Sequence, residues 1–247
     1  MLTKKILVIP AVVGVLALGG AGLAAATSTT GANSAANAAY NCSATPYPGI
    51  DLAGCGFKNA HLAGAHLATA DLANADLQGA DLQQAHLTGA NLIGANLAST
   101  ILTGANLTGA NLTNARPAKA TLGGANLTGA ELSGATLTPD TVVFAANLLG
   151  ADIEGANLTG MAMTDSNLTG ADLSDSNLKD ADLTDSTLHN ATLNGTNLDH
   201  ADLNNADLTG ADLTGANLTN AFWSNTTCPD GTNSEKDGGT CDGHLSG

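Results

Sequence analysis

The sequence predicts an all-β solenoid, a quadrilateral parallel β-helix, and three observations carry that prediction. A five-residue repeat runs from Ile50 to Trp223, with Ala first, Asp or Asn second and Leu third. Aromatic residues make up only 2% of a chain that is 43% hydrophobic, so Ala and Leu must build the core. Thr-Gly, Ser-Gly and Asn-Gly recur at the fourth and fifth positions, where a chain can turn sharply.

Each element follows from these units, among them Ala70-Asp-Leu-Ala-Asn, Ala75-Asp-Leu-Gln-Gly, Ala105-Asn-Leu-Thr-Gly, Ala171-Asp-Leu-Ser-Asp and Ala211-Asp-Leu-Thr-Gly. On an α-helix five residues advance by about 140° net, so the Leu side chains would wind around every side and no face could bury them. In an extended segment, Ala and Leu point to one side and the Asp or Asn between them points to the other. Four corners of about 90° close a coil after about 20 residues, and about 35 units give nearly nine coils. Coils spaced by about 4.8 Å make a rod roughly 40 Å long. Leu stacks on Leu and Ala on Ala, and each buried Leu contributes about 1.5 to 3 kcal/mol.

Tandem Ala-(Asp/Asn)-Leu-x-x over residues 50–223 resembles the pentapeptide-repeat family. The resemblance implies a β-helix that is right-handed. The ending Cys228-Pro-Asp-Gly-Thr-Asn also resembles the C-terminal caps of exported bacterial members of that family.

Two places break the repeat. Thr138-Pro-Asp-Thr-Val-Val143 is one residue too long, and the surplus is expected at Pro139 or Asp140, absorbed by a turn. Arg116-Pro117 puts Pro where Leu belongs and removes a ladder donor, so a local distortion is expected there.

Residues 1–26 begin with Lys4 and Lys5, continue through an apolar run from Ile6 to Leu18 and end in Ala24, Ala25 and Ala26, the pattern of a secretory signal peptide. Cleavage is expected after Ala26 or as late as Ala38, with residues 27–41 a low-complexity linker. Removal of the leader leaves Lys58, Arg116, Lys119, Lys179 and Lys236 against 22 acids, a net charge of about −17. Cys42 and Cys55 lie at one end of the repeat, Cys228 and Cys241 at the other. Four cysteines permit three pairings; the regular region between holds the ends apart, which favours local disulfides in an exported protein. Caps at 42–55 and 226–247 would cover the open edges of the first and last coils of a helix spanning 50–225. A zinc site is the alternative, though no Cys-x-x-Cys spacing is present.

Residues 20 apart should lie on one face, 21 apart across the insertion. One column then reads Asp51, Asp71, Asn91, Asn111, Glu131, Asp152, Asp172, Thr192, Asp212, and its carboxylates Asp51, Asp71, Glu131, Asp152, Asp172 and Asp212 form a candidate interaction stripe. Like charges about 5 Å apart repel, so screening by salt, a cation or a basic partner must accommodate them. Asn157, Asn177, Asn197 and Asn217 form a second column suited to an amide ladder. Asp182 falls below Asp202 and Asp165 below Asp185. Calcium would suit carboxylates, yet a flat face presents ligands from one side only. His66 stacks with His86, near His61, giving two metal ligands at most.

The acidic balance excludes a nucleic-acid binder, which needs a basic patch. No Gly-x-Ser-x-Gly, His-Glu-x-x-His or phosphate-binding glycine loop is present, and a filled solenoid with short corners has no pocket, so neither an enzyme nor a cofactor is expected. The expected role is that of an exported, rigid acidic module, secreted or held in the cell envelope, presenting its stripe to a basic protein or surface. No membrane contact is expected once the leader is removed. The resemblance implies a second reading, a rod that mimics duplex DNA and binds DNA gyrase to give quinolone protection. A third is an ice-binding face of stacked Thr88, Thr108 and Thr128.

Overall fold

A computed structural model describes residues 42–236, 238–241, 243 and 244. The leader at 1–26 and the linker at 27–41 lie outside the described residues. From Ile50 onward the chain coils with four corners per turn, and each outward residue bridges in parallel to the residue 20 further on. Across residues 121–152 the offset becomes 21, as in Thr121 with Val142 and Glu131 with Asp152, and then returns to 20. Each bridge is a single residue per side, because a five-residue unit leaves no room for a longer strand between corners.

The hydrogen bonds of one unit show why the pattern is Ala-Asx-Leu. In Ala70-Asp-Leu-Ala-Asn, Ala70 N–H donates to Leu67 C=O to close the preceding turn (3.0 Å). Asp71 N–H donates down to Ile50 C=O (2.8 Å), while Leu72 and Asn74 N–H donate up to Asn91 and Ile93 C=O (2.7 and 2.8 Å). The fifth donor, Ala73 N–H, has no neighbouring backbone acceptor; the Asp71 side chain takes it at 3.0 Å. Where Asp or Asn holds the second position, its side chain thus closes the following corner as an Asx turn, satisfying the donor that the coil cannot. The same contact recurs around the rod, from Asn96 to Ala98 and Asp172 to Ser174 through Asp202 to Asn204 and Asn217 to Thr219.

The second residue of nearly every corner has positive φ, most often Gly, Asn or Asp, although Gln84, Ser99, Lys119 and His200 also adopt it. At Gly79 (φ 66°) a side chain is further excluded because a Cβ would lie 2.4 Å from the Asn59 amide oxygen one coil below. Thr69 (φ 55°) and Ala145 (φ 51°) adopt the same conformation without glycine's freedom.

Leu and Ala columns fill the interior, and most of these side chains are fully buried. Phe57 in the first coil and Trp223 in the last occupy Leu positions, so two of the few aromatics close the ends of the aliphatic column. Cys42 pairs with Cys55 and Cys228 with Cys241, the local connectivity, so the thiols are consumed as disulfides and none is left as a zinc ligand. At the C-terminal end Thr227 bridges Asn233 antiparallel, and a single 3-10 turn, Ser234–Lys236, follows. Buried Ser234 ties this cap to the last coil through its hydroxyl bond to Trp223 C=O and its N–H to Thr226 C=O (2.9 Å).

The two irregularities of the repeat are a single feature. Pro117 has no N–H to donate to Thr136 C=O, and among the described residues no bridge joins Thr136 to Arg116 or to Asn157. The long unit sits in the coil directly above, with its turn at Pro139–Asp140 and the extra residue just before it. Buried Thr141 spans the seam by donating its hydroxyl to Pro117 C=O (3.1 Å), and Lys119 faces Asp140 at 3.8 Å. An apolar void of about 20 Å³ lies inside the adjoining coils, bordered by Leu122, Leu137, Val143, Met161 and Met163 among others. Met161 and Met163 replace Ala and Leu there, and flexible thioethers suit a stack whose spacing is disturbed.

Candidate functional site

The four faces differ in charge, and their outward columns define them. The first face carries the expected stripe, Asp51, Asp71, Asn91, Asn111, Glu131, Asp152, Asp172, Thr192 and Asp212, in one continuous series of bridges. Glu154 and Asp175 extend it along the adjoining corner. It is not an unbroken run of carboxylates. Asn91 donates its amide to Asp71 (3.1 Å) and Asn111 donates to Glu131, while the Asn194 amide, assigned with its nitrogen toward Asp212, reaches both carboxylate oxygens at 2.9 and 3.0 Å. These amides separate some of the like charges, and repulsion remains where Asp51 meets Asp71 and where Glu131, Asp152 and Asp172 follow one another. The Thr214 hydroxyl and N–H, helped by Asn194, hold the Asp212 carboxyl below the usual carboxylate range.

The second face runs Gly56, Asp76, Asn96, Arg116, then, above the seam, Asn157, Asn177, Asn197 and Asn217. All four basic residues of the coils, Lys58, Arg116, Lys119 and Lys179, lie on this face or its corner. Lys179 pairs with Asp199; that hydrogen bond raises the lysine pKa and lowers the aspartate's. The amide ladder forms from Asn177 upward, with Asn197 donating to Asn177 (2.9 Å) and Asn217 to Asn197 (3.0 Å). Its lowest step is different from the expectation: Asn177 donates to the Thr159 hydroxyl (2.9 Å), not to Asn157.

The third face reads His61, Asp81, Ile101, Thr121, Val142, Ala162, Asp182, Asp202, Phe222, with Asp165 and Asp185 stacked on its corner. The fourth carries His66 and His86, then Asn106, Asn126, Asn147 and Asn167, and a single carboxylate, Asp207. The two imidazoles stack with centroids 4.8 Å apart and planes within 7°. His61 lies on a different face, bridged to Asp81. Among the described residues no group of three His, Cys, Asp or Glu side chains is placed to hold a metal ion. Thr88, Thr108 and Thr128 do fall in one line beside this column, but Leu149 follows them, and Thr108 and Thr128 donate their hydroxyls to Asn106 and Asn126 (2.7 and 2.6 Å).

The geometry defines a class: a tandem-repeat rod with a filled aliphatic interior, four flat faces and chemistry confined to outward side chains. The chain belongs to the pentapeptide-repeat family. The family model for pentapeptide repeats (8 copies) matches residues 50–89, 90–116, 118–138, 146–185 and 181–220. Among solved structures the chain is similar to HetL of Nostoc sp. strain PCC 7120, a pentapeptide-repeat protein involved in heterocyst differentiation regulation. The identity is 34%, over 78% of this chain and 95% of that one, with TM-score 0.53. Rfr23 of Cyanothece 51142 is 28% identical over 49% of this chain and 85% of its own, with TM-score 0.31. Full-length QnrB1, a plasmid-mediated fluoroquinolone resistance protein, is 16% identical over 71% of this chain and 92% of its own, with TM-score 0.30. No curated protein matches the chain.

Proposed function

We propose that this protein is an exported, right-handed quadrilateral β-helix that works as a rigid acidic interaction module, its first face engaging a basic protein or surface. The observation that carries the reading is the partition of charge: carboxylates crowd the first face while every basic residue of the coils is kept to the second. Random placement in an acidic repeat would have scattered lysines among the carboxylates and blunted the field. Two disulfides agree with an oxidising compartment, and among the described residues no helix is long and apolar enough to cross a membrane. HetL, a similar rod, is described as involved in regulation, a role that an interaction module can fill.

Binding to a poly-lysine surface tests the reading. Capture of the purified protein should weaken steeply between about 50 and 300 mM salt, as the screening length contracts. It should weaken again at low salt when Asp152, Asp172 and Asp212 are all changed to Asn. Indifference to both would refute it. Mimicry of duplex DNA toward gyrase uses the same acidity but needs a cytosolic protein, against which the disulfides count. Inhibition of DNA supercoiling by the purified protein would favour it.

A further inference from the structure

We propose that the third face is a docking strip for an extended protein segment with an apolar centre and cationic residues at both ends. The proposal rests on the reading of the rod as an acidic interaction module and names a second face and a partner chemistry for it. At mid-length the outward column changes from polar to Ile101, Thr121, Val142 and Ala162, all partly or fully exposed. Phe144, beside Val142, is 50% exposed and leans back over Gly123; a Cβ there would lie 2.8 Å from the ring. An Asp or Asn at these positions would have capped its corner, so the column gives up Asx turns for outward apolar groups.

Carboxylates bound the strip at both ends. Asp81 lies one coil before Ile101; Asp182 and Asp202 lie one and two coils after Ala162, with Asp165 and Asp185 along the corner. No Lys or Arg lies on this face or its corner among the described residues. Asp81 and Asp182 are five bridges apart, roughly 24 Å at about 4.8 Å per coil, the span of about seven extended residues. An extended peptide with Lys at each end and alternating apolar residues between them meets both ends at once. Among the described residues, the coils of a second copy carry their cations on the second face alone, as Lys58, Arg116, Lys119 and Lys179, and the last two face Asp140 and Asp199.

The test compares two fluorescent nonapeptides of equal charge, Lys-Lys-Leu-Thr-Val-Thr-Leu-Lys-Lys and Lys-Lys-Ser-Thr-Ser-Thr-Ser-Lys-Lys, by anisotropy on the purified protein. The apolar peptide should bind roughly tenfold tighter. Phe144→Ser with Val142→Thr should abolish that preference and leave the serine peptide's affinity unchanged, both side chains being at least partly exposed and circular dichroism checking that the rod is intact. Asp81→Asn with Asp182→Asn should weaken both peptides. Equal affinities for the two peptides, or a preference that survives Phe144→Ser with Val142→Thr, would overturn the proposal. If the equal binding still responds to the first-face Asn substitutions, the acidic-module reading stands without it; if neither peptide binds, the strip proposal falls, and capture on poly-lysine decides the acidic-module reading by itself. A dimer in sedimentation that Phe144→Ser dissolves would assign the strip to a second copy and likewise overturn it.

Discussion

Asp172 decides whether the outward Asp and Asn are there for the fold or for their charge. Its Oδ1 accepts the Ser174 N–H at 3.0 Å and the Ser174 hydroxyl at 2.6 Å. Asp172→Ala leaves that half-buried N–H with water as its only partner, at a cost of about 1 kcal/mol. For a chain of this size, that is a fall of about 2 to 4 °C in Tm. Asp172→Asn keeps an acceptor at the same place and removes one charge from beside Asp152, so it should lie within about 0.5 kcal/mol of the parent. Thermal unfolding followed by circular dichroism at neutral pH and low salt separates the three proteins. If Asn destabilises as much as Ala, the carboxylate charge matters to folding and the Asx-turn argument is wrong. If Ala is harmless, the acceptor contributes nothing. The point bears on function, because only if Asn preserves the rod does the Asn-substituted stripe report binding alone.

Further predictions follow from the interior, the corners and the caps. Ser176 is buried, and its hydroxyl has no hydrogen-bond partner, so Ser176→Ala should raise stability by about 1 kcal/mol in urea unfolding; a loss would mean that the hydroxyl is bonded in solution. Thr69→Gly relieves a β-branched residue of its positive φ and should stabilise the rod by about 1 kcal/mol, whereas Gly79→Ala should destabilise it. Reduction of the disulfides, each closing a sequence separation of 13, should cost on the order of 3 kcal/mol apiece and lower the temperature at which Trp223 fluorescence changes. The Thr232 hydroxyl and N–H, with His244, hold the Asp230 pKa down to about 2. A depressed carboxylate stabilises the cap above its unfolded value of 3.8 and loses that contribution as pH falls toward 2. The Trp223 signal should therefore shift over that window, and Asp230→Asn should flatten the shift.

The coil, its offset of 20 and the change to 21 were legible in the sequence because strict periodicity leaves few ways to bury Leu and Ala together. The stripe was legible for the same reason: once the offset is known, columns are arithmetic. What was not read was local. Asp71 and its equivalents look like surface charges until the backbone donors of a unit are counted and Ala73 N–H is found to lack an acceptor. Pro117 and the Thr138-Pro139-Asp140 insertion look like separate accidents until the offset puts Leu137 above Pro117. The confinement of Lys58, Arg116, Lys119 and Lys179 to one face was recoverable by the same arithmetic. The void beside Met161 and Met163 was not, since it depends on how far the coils on either side of the seam relax. Nor was the lowest step of the amide ladder, where Thr159 competes with Asn157 for the Asn177 amide.

Whether the molecule is an exported, disulfide-capped acidic rod is read from its intact mass, on protein recovered separately from medium, envelope and cytoplasm, before and after thiol reduction. The expected species lies outside the cytoplasm, lacks the N-terminal leader and gains the mass of about four hydrogens on reduction. A full-length, already reduced protein confined to the cytoplasm would contradict it and make mimicry of DNA the leading reading.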